Sequence, residues 1–306
     1  MQHFRTVLGE ISESELGVVL AHEHICCYFE YFYNMLQSDY LDKEKLIHKS
    51  AEHLLYMKDK YDLATIIDCT PVNIGRDIDL LKQVSKRSGI NIICSSGFYY
   101  TEEIVLRDVS EEFISKAVLL DIQKSNAGSI KFAVEDKEMN PLSGKIFSAL
   151  CTVQKESGLP FVIHTNGKNE NGRMVLEEVL AKGVKSSAVT IGHLSDSDDM
   201  DYVTEILKSG CYVGFDRIYN SAVSGYFEQK AKDIYTLCER GFAEKIILSH
   251  DGLVFNGFHT GAAIREDNPY TPIFDHLIPA MLQIGFTESE IQKFFTSNVK
   301  NMLKCR

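Results

Sequence analysis

Short apolar runs recur along the chain, and each is followed by a polar stretch with helical patterning. The runs cover 18–20, 64–68, 91–95, 129–133, 160–164, 188–193, 211–216 and 246–249. Helical patterns follow them at 78–87, 110–123, 142–157, 174–181, 200–209, 231–240 and 275–285. Strand alternating with helix at this spacing predicts βαβ units and a parallel sheet. Eight such units favour a closed α/β architecture, a (β/α)8 TIM barrel, over an open sheet. No Pro-rich linker, low-complexity segment or charge block interrupts the pattern, so residues 1–306 read as a single domain. A helical insertion at about 28–61 follows the first strand, and a long loop at about 252–271, with several Gly and Asn, follows the eighth.

Composition narrows the function classes. The 306 residues carry 43 acidic against 32 basic side chains, a net charge of −11. Non-specific nucleic-acid binding needs a basic footprint, so no nucleic-acid partner is expected. The opening residues contain no apolar segment of the secretory kind, and no run of about 18 apolar residues offers a membrane span. Eight cysteines sit mostly inside apolar segments and form no CxxC pair; in a large chain without a secretory leader they read as reduced thiols, which predicts a cytoplasmic protein. Adjacent Cys26 and Cys27 read as the floor of a pocket rather than as soft ligands.

The candidate chemistry lies where strands end. In residues 17–25, GVVLAHEHI, His22 and His24 are two apart. Side chains alternate across a strand, so the two imidazoles converge, and imidazole is the commonest metal ligand at neutral pH. In such barrels the site lies at the carboxyl ends of the strands. Lys131 lies within the fourth run, His164 ends the fifth, His193 the sixth and Asp216 the seventh, and Asp251 follows the eighth. A lysine between Ile130 and Phe132 inside a strand is unfavourable unless paired or modified. Four histidines, a lysine and an aspartate at one end of successive strands predict a two-metal site at the carboxyl ends of the barrel.

These segments resemble the phosphotriesterase family of the amidohydrolase superfamily, which includes the phosphotriesterase-like lactonases. The resemblance rests on GVVLAHEHI, IGRD at 74–77, SGFYY at 96–100, AGSIKFAV at 127–134, PFVIHTNG at 160–167, IGHLSD at 191–196, GFDR at 214–217 and LSHD at 248–251. Val19 departs from the threonine usual in the family. The resemblance implies that His22, His24 and Asp251 hold a more buried metal and that His164 and His193 hold a more exposed one. Lys131, carboxylated by carbon dioxide, would bridge both as a carbamate; some relatives carry Glu at this position. Zinc is the favoured metal, with Mn, Co and Fe as alternatives. A metal-bridging hydroxide would attack the substrate, with Asp251 taking its proton.

The implied function is hydrolysis of an ester, foremost a lactone ring such as a sugar lactone or its phosphate, with promiscuous phosphotriesterase activity. A carboxylesterase or true phosphotriesterase is the alternative, the latter weakened by the absence of Trp; a non-catalytic metal-binding barrel ranks below both. In the lactonase branch, residues in the positions of Tyr99 and Arg217 line the substrate pocket. Asp216 reads as an orienter of a ligand histidine, because the six-ligand set is already complete. His250 alternates away from the site, and Gly75, Arg76 and Asp77 suggest a salt-bridged loop. In the final loop, His259 could reach the pocket mouth; Arg265 reads as a solvated charge, with an anionic substrate group as its other use. Relatives are often homodimers, an arrangement open to this chain.

Overall fold

The computed structural model describes residues 3–100, 104–219 and 221–304. A short antiparallel hairpin comes first, β1 (His3–Thr6) and β2 (Gly9–Ser12). Nine parallel strands follow: β3 (Val18–Cys27), β4 (Leu63–Asp68), β5 (Asn91–Gly97), β6 (Ser129–Ala133), β7 (Phe161–His164), β8 (Val189–Gly192), β9 (Tyr212–Phe215), β10 (Ile246–Leu248) and β11 (Leu253–Asn256). Neighbours run in chain order from β3 to β10, with β11 on the other edge of β3. The wall closes where the segment after β10 meets β3. The Asp251 amide donates to the His22 carbonyl (3.0 Å), and the His22 amide donates to Ser249 Oγ (2.9 Å). The fold is a (β/α)8 barrel, and all eight apolar runs are its staves.

The helices between staves also follow the pattern, from Ile78–Ser88 and Glu111–Ser125 to Met200–Lys208 and Tyr226–Glu239. In the stretch at 28–61, a short helix Glu30–Leu36 precedes Lys43–Tyr61, which crosses from β3 to β4 and packs on Ile78–Ser88. The reading at 275–285 resolves into a π turn, Ile273–Leu277, and a helix, Ile278–Gln283. Pro279 has no N–H to continue an α ladder backwards, which accounts for the widened turn. These elements escape the pattern: the hairpin, the one-turn helix Glu13–Leu16 after it, β11, and the closing helices Glu288–Phe295 and Ser297–Leu303. The strands among them are four residues each, too short to show a period. The first closing helix does carry a readable start, a capping box between Thr287 and Glu290.

Two buried apolar clusters hold the barrel. One lies between staves and helices. The other fills the lower bore with Val19, Ala21, Ile67, Ile93, Val162 and Ile247, and Phe4, Val299 and Met302 close it from below. Strand alternation explains both, with one informative exception in β3. Val19 and Ala21 face the bore, so alternation would turn His22 and His24 outward. The ladder with β4 runs Leu20↔Ile66 and then Glu23↔Asp68, so β3 takes up one extra residue there. That bulge reverses the phase of the strand and turns both histidines inward.

Candidate metal centre

His22 and His24 were expected to end the first strand; β3 instead continues to Cys27, because β11 pairs with its upper half (Leu253↔His24, Phe255↔Cys26). The histidines therefore sit in a doubly supported strand at the upper rim of the bore. Lys131, His164, His193 and Asp251 arrive from four other staves. His22 Nε2 lies 2.6 Å from Lys131 Nζ and 3.6 Å from Asp251 Oδ1. His24 Nε2 lies 3.1 Å from Asp251 Oδ1, and His193 Nε2 lies 3.9 Å from Asp251 Oδ2 and 2.9 Å from His164 Nδ1. Lys131 is 1% exposed, and all four imidazoles are buried.

The outer nitrogens of these rings are all held. Asp216 Oδ2 takes the His22 Nδ1 hydrogen bond (2.5 Å), and Asp216 Oδ1 takes the Nδ1 and backbone amide of His193 (2.9 and 2.6 Å). Thr70 Oγ1 meets His24 Nδ1 at 2.8 Å while donating to the Cys26 carbonyl. Glu135 Oε2 meets His164 Nε2 at 2.8 Å. A carboxylate can only accept, and so can a hydroxyl whose proton is already placed. His22, His164 and His193 thus carry the proton on the outside and turn a lone pair inward, whereas His24 also donates from Nε2 to Asp251, and Cys27 and Asp251 outweigh burial to hold its imidazole well above the ordinary range.

Burial works the same way. It drives the His164 imidazole down to about 4, against the Glu135 hydrogen bond. It also takes His22 below, and His193 well below, the ordinary imidazole range. Burial alone would raise the carboxyls of Asp216 and Asp251, but the facing histidines outweigh it and hold both well below the usual carboxylate range.

This arrangement fits metal ions. His164 Nδ1 and His193 Nε2 face each other lone pair to lone pair at 2.9 Å, which is repulsive unless a cation shares them. Ligands bound at about 2.0–2.1 Å to one zinc ion stand roughly 3.3 Å apart at tetrahedral angles. The three imidazole–Asp251 separations of 3.1, 3.6 and 3.9 Å bracket that spacing. His22, His193 and Asp251 offer ligand atoms all within 4.8 Å of one another.

Backbone features hold the constellation. His193 and Asp251 both adopt left-handed conformations, φ 64° and 53°, the kind of strain that surrounding structure must enforce at a site. Glu23, fully buried between the two histidines of β3, supplies that enforcement at Asp251. Its Oε1 accepts from Ser249 Oγ, the His250 amide and His250 Nδ1, and its Oε2 accepts from the Gly252 amide, all at 2.8–2.9 Å. Two glycines leave necessary room. A Cβ on Gly214 would stand 2.4 Å from Asp216 Oδ2, and one on Gly97 would stand 2.0 Å from the Lys131 carbonyl.

The remaining sequence candidates divide. Tyr99 stands edge-on to the His164 ring at 5.5 Å and stacks on Phe258 at 6.2 Å. Arg217 bridges Asp251 Oδ2 (Nε, 3.1 Å) and Asp196 Oδ2 (Nη1, 2.8 Å). Cys27, the last residue of β3, places its Sγ 3.6 Å from His24 Nδ1. Arg76 pairs with Asp121 at 2.5 Å in the loop where a salt bridge was expected. Arg265 pairs with Asp267 and lines a cavity of about 290 Å³ with Arg217, Tyr219 and Asp251. Thr70, Glu135, Asp196 and Glu23 were not anticipated. The first three lie two to four residues past a strand end, so extending the strand-end criterion into the following loop would have found them.

The sequence model of the phosphotriesterase family matches residues 2–303. An aryldialkylphosphatase of Saccharolobus solfataricus is 26% identical over 307 residues, covering 95% of this chain and 96% of the relative. An N-acetyltaurine hydrolase of Mus musculus is 25% identical over 346 residues, covering 98% and 97%. The solved structure of a phosphotriesterase from Mycobacterium tuberculosis superposes with a TM-score of 0.89 at 24% identity, covering 99% of each chain. With a match that spans the barrel from its first hairpin to its last helix, the chain belongs to the phosphotriesterase family.

Proposed function

We propose that this family member is a metal-dependent hydrolase that opens a lactone ring, with two divalent ions held by His22, His24, Lys131, His164, His193 and Asp251. The observation that carries the reading is the inward lone pairs of His22, His164 and His193, above all the unprotonated pair His164 Nδ1 and His193 Nε2 at 2.9 Å. Zinc suits imidazole and carboxylate donors. Such ions supply a nucleophilic water near neutral pH and polarise the substrate oxygen. Carbon dioxide added to the Lys131 amine would turn a buried cation into a bridging anion, removing the penalty of an unpaired buried charge.

The protein's own groups do the rest. Asp251, one carboxylate oxygen against His24 and the other against Arg217, is placed to hold the proton taken from water and return it to the leaving oxygen. Arg217 aims that carboxylate, which the facing histidines keep ionised. Tyr99 and Phe258 wall one side of the approach. The Arg217 and Arg265 guanidiniums in the adjoining cavity favour a substrate with an anionic substituent, such as a phosphorylated sugar lactone. An amide with an anionic tail is the second reading, favoured by the relative named N-acetyltaurine hydrolase.

The test is metal content of protein grown with zinc and bicarbonate, then a pH-indicator screen over plain and phosphorylated lactones, carboxylic esters, a phosphotriester and N-acyl amino sulfonates. Two ions per chain with lactone turnover is the expected result, and Asp251→Asn should lower kcat by about 10²–10⁴-fold while folding survives. Turnover of N-acyl substrates alone would replace the lactone reading. Fewer than one ion per chain after reconstitution would overturn the ligand set.

A further inference from the structure

The four imidazoles of the centre are not held alike. His22, His24 and His193 turn Nε2 inward, and their Nδ1 atoms rest on Asp216 and Thr70, which are 1% and 2% exposed. His164 is reversed. Its Nδ1 faces the site, and its Nε2 rests on Glu135, whose side chain is 40% exposed.

Glu135 is itself braced. Its other oxygen, Oε1, accepts from Asn166 Nδ2 at 2.9 Å. The Asn166 amide donates to Asn171 Oδ1 at 2.8 Å. Asn171 Nδ2 in turn donates to the carbonyls of Val134 and Asp136, at 2.9 and 3.0 Å, on either side of Glu135. The loop after β6 is thereby strapped to the loop after β7 around one contact, the carboxylate on His164.

We propose that Glu135, braced by Asn166 and Asn171, is the positioning residue that holds His164 with Nδ1 inward and so sets the affinity of the more exposed metal position separately from the buried one. The inference rests on the two-metal reading above. A ligating histidine depends on the acceptor behind it for ring orientation and basicity, and losing that acceptor typically weakens metal binding 10–100-fold. Asp216 serves His22 and His193 together, so its loss would touch both positions. Glu135 serves His164 alone. Its exposure also gives this contact a route to exchange with water that the buried partners lack.

The experiment is zinc titration of the metal-free full chain against a chromophoric chelator, on wild type and on Glu135→Ala, Glu135→Gln and Asn166→Ala, with thermal melts of each metal-free protein. Wild type should bind two ions. Glu135→Ala should weaken the second ion by about 10–100-fold and leave the first unchanged. Glu135→Gln, which keeps an accepting oxygen, should recover most of that loss, and Asn166→Ala should move the second ion in the same direction by less. Equal weakening of both ions, or an unaltered second ion in Glu135→Ala, overturns the assignment. If Glu135→Ala melts early, Asn166→Ala and Glu135→Gln still decide, because a merely structural role would not confine their effect to one ion. Wild type binding a single ion would overturn the two-metal reading itself, and this inference with it.

Discussion

The two ends of the barrel bore are equally dry and chemically opposite. At the lower end Val19, Ile67, Ile93, Val162 and Ile247 are 0–2% exposed; at the upper end His22, Lys131, His193 and Asp216 are also 0–2% exposed. The same staves supply both. β3 gives Val19 and then His22, β7 gives Val162 and then His164, and the strand that carries Tyr212 runs directly into Asp216. Burial therefore does not separate core from site. The difference is in what each buried group needs. An apolar side chain needs only contact, whereas a buried polar one needs a partner for every proton and lone pair. The upper end meets that need outward, through Asp216, Thr70 and Glu135, and leaves its lone pairs facing inward for a cation.

Substitutions at the two ends should separate chemistry from stability. The largest effect is expected at Asp216, which serves both metal positions. Asp216→Ala should remove metal from both and lower kcat/KM by about 10²-fold or more, since each lost supporting contact alone is worth 10–100-fold. Metal content and turnover on the same preparation check this; two retained ions with normal turnover would erase the distinction drawn at the upper end. Gly214→Ala tests the same carboxylate without removing it. The new methyl would stand 2.4 Å from Asp216 Oδ2, so metal binding should fall in the same pattern by a smaller factor. At the lower end, Ile93→Ala should cost about 2–5 kcal/mol of unfolding free energy, while turnover per folded molecule and metal content stay unchanged. Urea unfolding beside activity of the native fraction decides it. A loss of turnover there would show that the two ends are mechanically coupled.

Much of this contrast was legible in the sequence. The eight apolar runs became the eight staves because fully buried parallel strands need uninterrupted apolar stretches. The six candidate ligands were visible because ionisable residues stand out at the ends of such runs, and the structure brings all six together. What was not legible follows from length and from three-dimensional pairing. β11 is four residues inside a loop-like stretch, and the hairpin has no period long enough to read. The bulge in β3 cannot be inferred from GVVLAHEHI, since simple alternation gives the correct mutual direction of His22 and His24 but the wrong side relative to Val19. Glu23 could not be assigned either, because its partners at 249–252 are more than two hundred residues away and meet it only when the barrel closes.

The response of the metal-free chain to acid sharpens the comparison most directly. The folded His164 imidazole titrates at about 4 because burial excludes its charged form, whereas an unfolded histidine titrates near 6.5. Between those values the unfolded chain binds a proton that the folded chain refuses, so unfolding free energy rises with pH across the window and falls as pH drops from about 6.5 toward 4. One such group accounts for up to about 3 kcal/mol at the acid end, and His22 and His193 shift in the same direction, while His24, held well above the ordinary range by Cys27 and Asp251 against burial, opposes them only above about pH 6.5 and leaves the slope below it intact. The lower bore contains no group that titrates there, so the deficit of Ile93→Ala should be the same at pH 7 and pH 5. His164→Asn, by contrast, should flatten the wild-type slope. Urea unfolding of chelator-treated protein at pH 7, 6 and 5 measures all three. A wild-type profile without slope would mean that the upper end admits water or protons when metal-free, and that its dryness depends on the metal rather than on the fold.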